Sequence, residues 1–229
     1  MFIPLPEIMI GKYWEISGEL QSRWNKLIQE ATPKRTILEY LTQSNHHLAF
    51  WEIFWKYSEK GRHYHTPEHM LECLKEFDGV RYAAENPLEI DAALTGHDVI
   101  YDPKRRDNEV RSAEYMQNLL LKLRTTKKFA ERTKNIILKT NHITPPENID
   151  EMLAVDIDLS ILGKETRIFD KYNKNIRKEY SSIPEEAYKE RRKKFLEDFL
   201  KRKQIYYTEH FRAKYEIKAR ENLERLLRE

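Results

Sequence analysis

His97 and Asp98 stand side by side in EIDAALTGHDVIY, where Ile90, Ala93, Leu94 and Tyr101 share one helical face with His97. That pattern puts His97 on the buried side. Asp98 follows about 100° further round the helix, so one ion beside it can take an imidazole nitrogen and a carboxylate oxygen from consecutive residues. Gly96 lets a neighbouring helix come close. Upstream, RHYHTPEHM places His69 in the first turn of a helix capped by Thr66, at the edge of a stripe of Cys73, Phe77 and Val80. Downstream, AVDIDLSILG sets Asp156 and Asp158 in an otherwise apolar run. A buried carboxylate is costly unless paired or bound to a cation, so something positive is expected to meet one of them.

Taken singly, each of these residues reads more simply as a hydrogen-bonded core histidine or a capping aspartate; the argument for a metal rests on the constellation. Two imidazoles with two carboxylates suit one divalent Mn, Fe, Zn, Co or Ni ion better than Ca, because nitrogen donors favour borderline ions; Mg is a further candidate. Such an ion lowers the pKa of bound water from ~15.7 toward ~7 and polarises a phosphoryl oxygen. Phosphoester hydrolysis is the natural chemistry of that set.

Positioning residues so distant in sequence requires packed helices. A hydrophobic fraction of 40% fills a sizeable core, and 34% charged residues with only 6 glycines favour long helices with solvated outer faces. Apolar residues recur at helical spacing, as in Ala113, Met116, Leu120 and Leu123, and no alternating strand pattern competes. HYHTP, YDPKRRDNE, NHITPPEN and YSSIP read as loops. Thr66 before Pro67, Asn86 before Pro87, and Ser182 with Glu185 carry helix-start chemistry, and Gly163 reads as a positive-φ residue closing a helix. The expected fold is all-α, about ten helices in a single domain over 1–229, with a core at about 51–180 and C-terminal helices at about 184–229.

The net charge of +3 is too small to impose a nucleic-acid partner. The basic C-terminal third reads first as solvated charge on a packed amphipathic hairpin, so nucleic acid is the less favoured partner. Cys73, the only cysteine, excludes a disulfide framework and a cysteine-built zinc site, and reads as a core residue in a reducing compartment. The N-terminus is interrupted by prolines and carries early acids, and no segment is apolar enough to cross a bilayer, so a cytoplasmic protein without a membrane partner is expected.

The order H-x-x-x-H, then HD, then an aspartate in a D-L-S helix resembles the HD superfamily of metal-dependent phosphohydrolases. RHYHTPEHM, LTGHDVIYDPKRRDNEVRSAEY and VDIDLSILG are similar to a bacterial branch labelled only as predicted metal-dependent HD phosphohydrolases. The resemblance runs from about Trp51 to the C-terminus. It implies an HD-type helical bundle with His69, His97, Asp98 and Asp158 as metal ligands, Asp156 being a supporting residue or the alternative ligand. In cyclic-nucleotide phosphodiesterases of the superfamily, the histidine four residues before the first ligand protonates the leaving oxygen. His65 holds that place here, and a role satisfying a carbonyl in the turn is equally open.

Asp102 and Asp107 stand at distances similar to the acids that assist catalysis in 5′-deoxynucleotidase members, while Asp107 equally reads as an N-cap. Oxygenase members hold two irons with two further histidines between the HD pair and the last aspartate. Only His142 lies in that interval, which argues against a di-iron oxygenase; His142 is left to touch substrate, to support a second, weaker metal, or to meet a helix dipole. Arg62, Arg106 and Arg111, with Lys104 and Arg105, are candidates to neutralise phosphate, although solvated loop charge accounts for most of them. The expected activity is hydrolysis of a small-molecule phosphoester, by superfamily analogy a nucleotide-type phosphate. The rivals are the di-iron oxygenase and a non-catalytic helical module that binds nucleic acid or a partner around a structural metal.

Overall fold

The computed structural model describes residues 7–33 and 39–228. Those residues form ten α-helices and two short 3₁₀ turns, with no strand among them. The helices are α1 (Glu7–Ala31), α2 (Glu39–Tyr57), α3 (Pro67–Asp78), α4 (Pro87–Gly96), α5 (Asn108–Lys122), α6 (Lys127–Lys139), α7 (Ile149–Asp158), α8 (Thr166–Glu179), α9 (Glu185–Leu200) and α10 (Glu209–Arg228). Their buried apolar side chains form one cluster that runs from Tyr13 in α1 to Leu223 in α10. The all-α expectation therefore holds. No helix among the described residues is long and apolar enough to cross a membrane.

Three helices carry the candidate site. α3 packs against α1, α4 and α7, and α4 packs against α3, α5, α6 and α7, so the two histidine segments are brought together with an aspartate 60 and more residues away in sequence. The 3₁₀ turn Leu159–Gly163 extends α7 and packs against α10.

Local starts and stops differ from the sequence reading in instructive ways. Thr126 and Asn148 cap α6 and α7 with side-chain oxygens. Thr66, Asn86 and Asp107 precede helices without doing so. Asn86 instead donates its side-chain amide to Asp150 and accepts from Arg132. The Ser182–Glu185 capping box does not form, because α9 begins at Glu185 directly after Pro184, whose fixed φ leads into the helix. His46 and His47 lie within α2.

α4 also ends earlier than its periodicity suggested. It stops at Gly96, and His97 and Asp98 occupy the turn that follows, with Val99 N–H donating to the Gly96 carbonyl. A Cβ at Gly96 would run into the side chain of Met116 on α5, which is the close helix approach the sequence implied. Gly163 has no positive φ, contrary to expectation. Its lack of a side chain serves packing: a Cβ there would lie 2.7 Å from the backbone carbonyl oxygen of Tyr215 on α10.

Two glycine substitutions should consequently move stability in opposite directions. Gly163→Ala forces α10 away from the 3₁₀ turn and should cost about 1–3 kcal/mol in chemical denaturation. Gly18→Ala, in open space within α1, should stabilise by about 0.5–1 kcal/mol. Equal effects at both positions would contradict this packing.

Candidate metal centre

His69 is in the first turn of α3, with its imidazole buried at 3% exposure. His97 follows the last residue of α4 and is 1% exposed. Their Nε2 atoms face one another at 3.2 Å. Asp98 Oδ2 lies 3.0 Å from His97 Nε2 and 3.5 Å from His69 Nε2. Asp158 Oδ1 lies 3.3 Å from His69 Nε2 and 3.5 Å from His97 Nε2.

These spacings suit one shared ion. Two donors each about 2.1 Å from a metal are about 3.0 Å apart at a right angle and about 3.4 Å apart at the tetrahedral angle. The nitrogen–nitrogen and nitrogen–oxygen separations here, 3.0–3.5 Å, fall close to those values. His97 Nδ1 donates to the Leu94 carbonyl at 3.0 Å, so Nε2 is the nitrogen at which proton and metal compete.

The electrostatics point the same way. Burial alone would depress the His97 imidazole, yet Asp98 and Asp158 outweigh it and hold its pKa well above the ordinary range. Burial alone would raise Asp98 and Asp158. The facing imidazoles instead hold both far down, His97 and His65 acting on Asp98, and His142, His69 and His97 on Asp158. Two carboxylates in one buried place call for positive charge.

Cys73 adds a donor that the sequence reading had set aside as core. Its Sγ is 3.7 Å from His69 Nε2, and with His69, His97 and Asp158 it forms a group whose donor atoms all lie within 4.8 Å of one another. Burial, together with the Asp158 and Asp98 charges, pushes the thiol pKa well up. The protonated sulfur is a weak ligand.

Asp156 is fully buried and turned to other work. Its Oδ1 accepts from Tyr207 N–H at 2.7 Å, and its Oδ2 accepts from Thr208 N–H and Oγ1, each at 2.7 Å. Burial raises its carboxyl to about 6 despite those bonds. Asp158, and not Asp156, is the carboxylate that reaches the histidines. Asp156 anchors the chain entering α10.

The HD turn is held from behind. Tyr57 Oη accepts from Asp98 N–H at 3.0 Å, and Ser112 Oγ both accepts from Ile100 N–H and donates to its carbonyl. Arg62 is buried, and its guanidinium donates to the carbonyls of His65, Asp98 and Val99. The expected phosphate-binding role of Arg62 gives way to that of a backbone staple.

Other sequence candidates lie in the loop before α5 and at its start, with local partners. Asp102 accepts from Lys104 N–H, and Asp107 pairs with Arg105 at 2.6 Å on the surface. Arg106 and Arg111 are exposed. Glu109, in the first turn of α5, is raised by burial and by the nearby charges of Asp98 and Asp158.

His65 lies beside the group, with its ring 5.9 Å from that of His69 and stacked on Tyr101 at 4.1 Å. Its Nδ1 meets Glu179 Oε2 at 2.7 Å. Glu179 Oε1 accepts the backbone N–H groups of His63, Tyr64 and His65 at 2.7, 2.7 and 3.0 Å. The carboxylate at the end of α8 therefore fixes both the loop and the imidazole, which leaves Nε2 for proton transfer. Burial alone would raise Glu179, but His65 and those amides bring it down to about 2. No sequence pattern singles out Glu179. His142 Nε2 lies 2.9 Å from Asp158 Oδ2, in a residue of positive φ, 57°.

Comparison with family models, curated proteins and solved structures finds no match. The metal centre stands on its own geometry: a buried His/Cys/His/Asp group, with Asp98 beside it, that could hold a metal ion.

Two outcomes are expected. A divalent ion such as Mn²⁺ at a hundredfold excess over its Kd should stabilise the wild type by about 2.7 kcal/mol in thermal melts. Cys73→Ser should keep that increment and Asp158→Asn should lose most of it; equal increments in all three would mean the ion binds elsewhere. His65 is raised above its ordinary value by Glu179 and Asp98, although burial opposes this. Its share of the stability is present below 6.5 and is lost as pH rises through the folded value, while that of Glu179 is present above 4.5 and is lost as pH falls toward about 2. Glu179→Gln should therefore cost more at pH 6 than at pH 10; a pH-independent cost would contradict the pairing.

Proposed function

We propose that the protein is a metal-dependent phosphohydrolase of the HD type, acting on a small phosphoester, by analogy a nucleotide. The observation that carries the reading is the convergence of two imidazole nitrogens 3.2 Å apart with one oxygen each of Asp98 and Asp158, every one of the four nitrogen–oxygen distances being 3.0–3.5 Å. The resemblance of H-x-x-x-H, HD and the D-L-S aspartate to that superfamily supports it. His69, His97, Asp98 and Asp158 would hold the ion, which when bound supplies an activated water and polarises a phosphoryl oxygen.

The chain's own groups supply the rest. The two histidines are buried, at 3% and 1% exposure, while the Asp98 and Asp158 side chains are 13% and 15% exposed. His65, oriented by Glu179 and stacked on Tyr101, holds a proton at Nε2 for the departing alkoxide. His142 fixes the outer oxygen of Asp158.

A di-iron oxygenase is the weaker rival because His142 is the single histidine between the HD pair and Asp158. A nucleic-acid module would bind through the exposed lysines and arginines of α8 to α10, independently of the metal centre.

The test is a panel of phosphate mono- and diesters assayed with each divalent metal. Wild type should hydrolyse at least one ester in a metal-dependent way, Asp98→Ala should lose about 10³-fold or more, and His65→Ala about 10²–10⁴-fold. Turnover that survives both Asp98→Ala and chelation would sink the proposal, as would iron-dependent O₂ consumption without ester hydrolysis.

A further inference from the structure

The guanidinium of Arg62 occupies a place that stability alone does not explain. Its side chain is 4% exposed, and Glu59 Oε2, 3.7 Å away on a largely exposed residue, is a loose counterion. Arg62 Nε has no hydrogen-bond partner among the described residues. A cation buried in this way is costly, because neutral acceptors only partly offset its desolvation. Such departures from an optimal core gather where function requires a fixed geometry.

The bonds that Arg62 does make converge on the site. Nη1 donates to the carbonyls of both His65, at 3.3 Å, and Asp98, at 2.6 Å, and Nη2 donates to the Val99 carbonyl at 3.1 Å. One nitrogen therefore joins the loop that carries His65 to the turn that carries Asp98. Two tyrosines flank the same group. The Tyr57 ring lies 5.2 Å from the guanidinium carbon, and Tyr57 Oη accepts from Asp98 N–H at 3.0 Å. The Tyr101 ring lies 5.6 Å from that carbon and stacks on the His65 imidazole at 4.1 Å, with 30° between the planes. Each of the two site residues is thus held twice, at its carbonyl by Arg62 and again by a tyrosine that packs on Arg62.

We propose that Arg62 is a positioning residue that sets the separation between the His65 imidazole and the ion-binding carboxylate of Asp98. This deepens the phosphohydrolase reading and rests on it for the roles of the two residues. In the reaction, water supplies the oxygen that stays on phosphorus; as the bond to the leaving oxygen breaks, that oxygen takes the proton from His65 Nε2. Such a transfer requires a heavy-atom approach of about 2.6–3.2 Å, and a misplacement of about 1 Å costs on the order of 10²-fold. The flat fork of an arginine holds several carbonyls at a fixed spacing, whereas an ammonium on a flexible stem does not.

Arg62→Lys retains the charge and loses the fork. With Mn²⁺, its kcat for an alkyl phosphoester should fall by on the order of 10²-fold, and for a p-nitrophenyl ester by less than about fivefold, because nitrophenolate departs without a proton donor. A general loss of structure would lower both alike. A second readout needs no turnover: the full-length protein is loaded with Co²⁺, and the pseudocontact shift of the His65 ring, which varies with the inverse cube of its distance from the ion, is measured by NMR. Wild type should show a large shift and Arg62→Lys a different one. If Arg62→Lys does not fold, Tyr101→Leu, which removes the ring that packs on both guanidinium and imidazole, decides the matter with the same expectations. In a protein that hydrolyses esters, an unchanged His65 shift or an equal loss on the two esters overturns the proposal and leaves the phosphohydrolase reading in place. Absence of a Co²⁺-induced shift at His65 in wild type overturns it as well. A displaced shift in a protein whose wild type hydrolyses no ester sustains the positioning and removes the hydrolase reading.

Discussion

Two imidazole nitrogens 3.2 Å apart, walled in by helices and approached by two carboxylates, are the constraint on which the rest of the structure depends. Such a group is costly to bury unless positive charge lies among the oxygens. Protons on the histidines meet that need in part, as the upward displacement of His97 indicates. A divalent ion held among these side chains would meet it more fully, since it would require no proton to be held between facing nitrogens.

Much of the surrounding fold serves to keep that group in place. α4 ends at Gly96, which frees the Asp98 N–H from the helix, and Tyr57 takes it. Arg62 collects three carbonyls behind the same turn. Glu179 ties the loop before α3 to the end of α8, and Asp156 ties α7 to the start of α10. The C-terminal helices are thereby joined to the site by buried carboxylates at two separate points. Arg192 and Arg202 lie against the rings of Phe195 and Phe199, so part of the basic charge in this third of the chain is packed rather than solvated.

Helix type and the principal site residues were legible in the sequence because both rest on local pattern: apolar periodicity, and histidines or aspartates displaced onto apolar faces. His69, His97, Asp98 and Asp158 were found that way and by resemblance, and the structure brings them together. What was not legible depends on partners far away in sequence. Asp156 and Asp158 differ by two residues in the same apolar run, and only the path of the Tyr207–Thr208 backbone separates their roles. Glu179 and Arg202 carry no periodic signal, since each acts on a backbone or ring more than 50 residues distant. Arg62 looked like a phosphate ligand because charge is visible in sequence and burial is not. Gly163 looked like a positive-φ residue, whereas its constraint comes from α10 packing against it.

The most direct measurement of the central claim is anomalous diffraction from crystals of the protein loaded with Mn²⁺ or Zn²⁺. The account predicts one strong peak about 2.0–2.2 Å from His69 Nε2, His97 Nε2 and an oxygen of each of Asp98 and Asp158. An ion on the surface, or clear density for the two histidines hydrogen-bonded to each other with no peak between them, would contradict it.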